Sequence, residues 1–153
     1  MCPLTHLPRS LFYMILKTKE DTIKKGIEIS KNLQAGDILC LHGNLGTGKT
    51  TLTQGLAIGL KIKENITSPT FALMNIYNIK NGKIKNFVHI DTYRLKSEED
   101  LIEIGIEDYL GAKNTICVIE WPEKIEKLLK NKKTIDITIE HSCKNERLLR
   151  ISQ

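Results

Sequence analysis

Ile38-Leu39-Cys40-Leu41-His42-Gly43-Asn44-Leu45-Gly46-Thr47-Gly48-Lys49-Thr50-Thr51 reads as a short buried strand that runs into a glycine-rich loop. From Gly43 to Thr50 it matches G-x-x-x-x-G-K-[ST] at every fixed position. A chain that wraps a triphosphate must turn its N–H groups inward through bends that a Cβ would obstruct, and the helix that follows aims its positive end at the phosphates. Gly43, Asn44, Leu45, Gly46, Thr47, Gly48, Lys49, Thr50 and Thr51 are therefore the expected nucleotide-binding residues. Lys49 would reach the β- and γ-phosphates, and the Thr50 hydroxyl would enter a magnesium shell.

Upstream of this loop, Ile23, Ile27, Ile29 and Leu33 fall near helical spacing, which predicts an amphipathic helix over 20–33 capped by Asp21 or Thr22 and broken at Gly36-Asp37. Downstream, a second helix is expected from Gly48 through Leu52, Leu56 and Leu60. Two β-rich stretches, 71–79 and 84–93, flank Asn81-Gly82, a tight-turn dipeptide, and predict an antiparallel hairpin. Ser97 with Glu98, Glu99 and Asp100 marks the acidic first turn of a capped helix, which Gly105 separates from a short helix through Tyr109. Strands over 115–119, 134–140 and 147–151 and a helix over 122–130 complete the pattern. Alternating strands and helices plus one hairpin imply an α/β fold: a three-layer P-loop NTPase-like sandwich with a mixed, mostly parallel sheet that includes a β-hairpin.

Residues 14–153 read as a single domain, and residues 1–13, with Pro3, Pro8 and no sustained apolar core, as a disordered extension or a misassigned start rather than a secretory signal. The apolar runs are strand-sized, so a soluble protein without a membrane partner is expected. The four cysteines lack zinc-ligand spacing and read as ordinary thiols; Cys40 and Cys117 lie inside apolar strand patterns, which favours a cytoplasmic location. The net charge of +5 comes from scattered lysines, a solvated surface rather than a nucleic-acid footprint.

A P-loop enzyme also needs a carboxylate at the end of a neighbouring strand. Ile116-Cys117-Val118-Ile119-Glu120 supplies four apolar residues ending in an acid, the pattern of a Walker B strand. The other candidate is Asp91, because alternation in His89-Ile90-Asp91-Thr92-Tyr93-Arg94 puts His89, Asp91 and Tyr93 on one face. Ser68-Pro69-Thr70-Phe71 lies where P-loop proteins often carry a γ-phosphate-sensing loop. A guanine-reading Asn-Lys-x-Asp is missing, since Asn131-Lys132-Lys133-Thr134 lacks the aspartate. The scarcity of arginine, four residues in all, speaks against a kinase lid. A small-metabolite kinase and a non-hydrolysing nucleotide-binding regulatory module are the alternatives to an ATP hydrolase. With no evident arginine finger, hydrolysis by the chain alone should be slow and dependent on a partner.

Taken together, His42 to Thr51, Ser-Pro-Thr-Phe from Ser68, His-Ile-Asp-Thr-Tyr-Arg-Leu from His89, Gly-Ile-Glu-Asp-Tyr-Leu from Gly105 and Ile-Glu-Trp-Pro-Glu from Ile119 closely resemble the TsaE (YjeE) family. The resemblance runs from about Lys19 to the C-terminus; Asn44, where the family usually has an acid, departs from it. It implies an ATP- and Mg2+-dependent ATPase that works with TsaB and TsaD in threonylcarbamoyladenosine (t6A) modification of the tRNA adenosine beside the anticodon, meeting tRNA only indirectly. It further implies that Thr50 and Glu120 hold the metal, that Asp91 acts in hydrolysis by positioning water alongside Lys49 and Glu120, and that the stretch from Glu20 to Thr22 and Arg147 lie near the nucleotide. Trp121, the single tryptophan, is expected to pack in the core.

Overall fold

The structure, a computed structural model, describes residues 13–69, 71–80 and 82–152. Its strands are β1 (Tyr13–Leu16), β2 (Ile38–His42), β3 (Met74–Asn78), β4 (Asn86–Asp91), β5 (Thr115–Glu120), β6 (Ile135–His141) and β7 (Arg147–Ser152); its α-helices are α1 (Lys19–Ser30), α2 (Lys49–Gly59), α3 (Glu99–Glu103) and α4 (Glu126–Leu129). Leu39, Leu41, Phe87, Ile116 and Val118 pack with Leu52, Leu56 and Ala57 of α2. Their sequence neighbours Ile38, Cys40, Val88, Ile90, Cys117 and Ile119 pack with Leu101, Ile106 and Ile125. Side chains alternate across a strand, so these two clusters occupy opposite faces of the sheet and create three layers. Burial on both faces explains why β2 and β5 are continuous apolar runs.

The strands form one sheet in the order β1-β7-β6-β2-β5-β4-β3. β6, β2, β5 and β4 are parallel neighbours, while β7, β1 and β3 pair antiparallel. Because β1 is reversed twice, through β7 and β6, it points the same way as the four central strands, and among the described residues only β7 and β3 oppose them. The sheet is therefore mixed and mostly parallel, as expected. Leu41 and Asp91 both stand opposite Glu120 in register, so β2, β4 and β5 end side by side at the carboxyl edge, where open α/β sheets place their ligands.

Several local expectations are corrected. Thr18, not Asp21 or Thr22, caps α1; its hydroxyl accepts from the Asp21 N–H at 3.0 Å while the Asp21 carboxylate accepts from the Thr18 N–H at 3.1 Å, a capping box. The hairpin is antiparallel, as expected, and its pairing runs past Asn78 and Asn86 to a 2.7 Å bond from the Ile79 N–H to the Lys85 carbonyl. Asn81 lies outside the described residues. The helix expected over 122–130 is a 3-10 turn, Pro122–Ile125, followed by α4, broken where Ile125 takes φ −133°. Residues 1–12 of the expected extension also lie outside the described residues, whereas Tyr13 opens β1, a strand the sequence pattern did not reveal. Two of its four residues, Met14 and Ile15, are exposed, so no alternation announces it.

Cys40 and Cys117 are free and buried, the core thiols that the strand pattern predicts. Among the described residues no helix is long and apolar enough to cross a membrane.

Candidate functional site

Between β2 and α2 the chain turns through Gly43, Gly46 and Gly48 at φ +140°, +77° and +105°, a region closed to most side chains. Gly43 is required twice over, since a Cβ there would stand 2.2 Å from the Ile139 carbonyl oxygen. The loop is stitched by the Thr47 hydroxyl, which donates to the Asn44 carbonyl at 2.9 Å. No side chain caps α2, so its first N–H groups are left for an anion, aided by the helix dipole. Such a glycine-turned loop over an uncapped helix start is the cradle that phosphates occupy.

Lys49 begins α2 buried against this loop, its ammonium donating to the carbonyls of Gly43 (2.7 Å) and Asn44 (2.9 Å) and lying 4.2 Å from the centre of the Trp121 ring. Desolvation pulls its pKa down, against the attraction of Glu120, Asp91 and Glu123. Trp121 is half-buried and faces the cleft rather than the core, a correction to the packing role expected of it.

Glu120 ends β5 only 3% exposed. One carboxylate oxygen, Oε1, accepts from the Thr50 hydroxyl at 2.9 Å and makes a 2.9 Å bond with Nε2 of the fully buried His89. A carboxylate can only accept, so Nε2 carries the proton, and Nδ1 has no hydrogen-bond partner. On the next strand Asp91 accepts the Ser68 hydroxyl on Oδ2 and the Tyr93 N–H on Oδ1 at 3.0 Å. Lys49, Thr50, Ser68, Asp91, Glu120 and Trp121 thus converge on one cleft of about 410 Å³, with Leu45, Tyr93 and Arg94 on its wall.

An adjoining hollow contains Gly46, Gly48 and Thr51 together with Thr22, Asn145 and Arg147. Arg147 Nε donates to the Thr47 carbonyl at 3.2 Å, bracing the loop from outside. Thr22 and Arg147, far apart in sequence, therefore meet beside the loop, whereas Glu20 is not among the residues lining the hollow. Two roomier grooves, one at His42 and Asp136 and one at Leu33 and Ile84, contain none of Lys49, Thr50, Asp91 and Glu120.

For a magnesium ion the Thr50 hydroxyl and the Glu120 carboxylate offer hard oxygen donors at hydrogen-bond separation, which suits the metal. Among the described residues no cluster of three His, Cys, Asp or Glu side chains forms a self-sufficient metal cage. Magnesium typically takes one or two protein oxygens and completes its shell with phosphate oxygens and water, so the donor set fits. Sequence reasoning did not foresee the His89–Glu120 bond, the Ser68–Asp91 bond, or Thr92, which is buried and bonded to the end of β5. The clustering of His89 with Asp91 on one strand face was the only signal.

The sequence profile of threonylcarbamoyl adenosine biosynthesis protein TsaE matches residues 16–149. The tRNA threonylcarbamoyladenosine biosynthesis protein TsaE of Treponema pallidum is 39% identical over 111 residues, covering 72% of this chain and 78% of that protein. The protein of the same name from Nostoc is 45% identical over 118 residues, covering 73% and 68%. The crystal structure of Bacillus subtilis YdiB superposes with a TM-score of 0.75 at 27% identity, over 96% of this chain and 87% of that one. With a P-loop, two strand-end carboxylates and this similarity over most of its length, the chain belongs to the TsaE family.

Proposed function

We propose that this chain is a Mg2+-dependent ATP hydrolase that supports t6A modification of tRNA together with TsaB and TsaD, acting in the cytoplasm and meeting tRNA through those partners. The observation that carries the reading is the Thr50–Glu120 hydrogen bond at the mouth of the glycine loop, with Asp91 one strand away. Magnesium, when bound, neutralises charge on the phosphates. The Gly43–Thr50 amides and the start of α2 hold the triphosphate, and Lys49 leaves the Gly43 and Asn44 carbonyls to reach it. Glu120 and the Thr50 hydroxyl hold the cation. Asp91, whose carboxylate is oriented by Ser68 and the Tyr93 amide, positions the attacking water. Thr22, Thr51 and Arg147 flank the nucleoside side of the loop.

No arginine finger lies among the groups gathered in the cleft beyond the rim residue Arg94, so turnover by the isolated chain should be slow. The test is phosphate release from ATP with and without TsaB and TsaD, alongside modified adenosine formed on tRNA. Wild-type release that rises with the partners, and falls by about 100-fold or more in Lys49→Ala, is expected. Phosphate arriving on an added metabolite would instead identify a kinase. Tight ATP binding with no release under any condition would identify a regulatory module.

A further inference from the structure

Trp121 has φ +61° and ψ +50°, although it is neither glycine nor asparagine and is followed by Pro122, which disfavours helical conformations in the residue before it. Strain of this kind persists only where surrounding contacts impose it. Here the buried Thr92, next to Asp91, reaches across to the turn, whose Trp121 carbonyl also accepts the Lys124 N–H at 3.1 Å. The Thr92 hydroxyl donates to the Trp121 carbonyl at 2.6 Å and lies 3.1 Å from the Glu120 carbonyl, which also accepts the Thr92 N–H at 3.2 Å. The turn so held lays the Trp121 ring against Tyr93, at 5.1 Å between centroids, and against the Lys49 ammonium.

We propose that Thr92 is a positioning residue: its hydroxyl fastens the Glu120–Trp121 turn in the left-handed form, and so couples the strand bearing Asp91 to the one bearing Glu120. A valine at this position would match the threonine in shape and leave the backbone bond to Glu120, removing only the hydroxyl. The kinetic part of the proposal rests on the hydrolase reading; the conformational part does not.

The test compares wild type, Thr92→Val and Thr92→Ser without nucleotide, by Trp121 emission and acrylamide quenching, and then with MgATP. Thr92→Val should change emission and quenching and lower kcat by about 3- to 10-fold, the loss of one buried hydrogen bond. Its ATP dissociation constant should stay within about 2-fold, since the loop amides are untouched. Thr92→Ser should restore all three. A Thr92→Val protein with wild-type emission, quenching and kcat would overturn the proposal. If the wild type itself releases no phosphate with its partners, the hydrolase reading fails, and the nucleotide-free emission alone judges Thr92. Should Thr92→Val not fold, NMR of the wild type decides: a slowly exchanging Thr92 hydroxyl proton close to Trp121 supports the bond, and its absence refutes it.

Discussion

Glu120 takes two hydrogen bonds on one oxygen, and the other oxygen has no bond to the groups that hold it, so the carboxylate is held firmly while still offering an acceptor to the cleft. Glu120→Gln keeps the shape but loses the charge. It should weaken Mg2+ affinity in the presence of a non-hydrolysable ATP analogue by about 10-fold or more, read by metal titration. Asp91→Ala removes a group that touches neither Thr50 nor Glu120 by any bond in the site. It should therefore lower kcat by at least about 100-fold while leaving that metal titration unchanged, and equal losses in both measurements would refute the division of roles. Away from the cleft, burial pushes the Cys40 and Cys117 thiols up to about 12. The thiolate is the reactive form, so alkylation at these two positions near neutral pH should be at least about 100-fold slower in the native protein than in denaturant, as mass spectrometry of labelled peptides would measure.

Helices α1 and α2 meet backbone against backbone at Gly26 and Gly55. A Cβ on Gly26 would lie 2.5 Å from the Leu52 carbonyl oxygen, and one on Gly55 2.3 Å from that of Ile23. Both obstacles are backbone and cannot rotate away. Gly26→Ala and Gly55→Ala should each destabilise the fold by about 2 kcal/mol in urea unfolding, despite the better helix propensity of alanine. Since α2 begins at Lys49, the same substitutions shift the loop and should also weaken ATP binding. At the other end of α1, the Lys17 and Thr18 amides hold the Asp21 carboxyl below its ordinary pKa. A carboxylate with a depressed folded pKa contributes stability that is complete above its unfolded pKa and is lost as pH falls through the folded value. Asp21→Asn should therefore lower the melting temperature near neutral pH and flatten its fall in acid below pH of about 4.

For the molecule as a whole, β2 and β5 were legible because burial on both faces leaves them almost purely apolar, and the loop was legible because phosphate binding demands glycines at set intervals. The edge strand β3 falls within the expected stretch 71–79, whereas β1 shows no alternation and Ile125 interrupts a helix that its residues would permit. Of the site, the sequence by itself determined which groups are offered, since ammonium, hydroxyl and carboxylate groups follow from residue type and local spacing. Only the tertiary structure decided how they meet. Thr50 reaches Glu120 across 70 positions, His89 reaches it across 31, and Arg147 braces Thr47 across 100, distances over which strand order and register, rather than any local pattern, determine who touches whom. The left-handed turn at Trp121 belongs to the same class: nothing in Glu-Trp-Pro favours it, and its carbonyl accepts the hydroxyl of Thr92, 29 positions away.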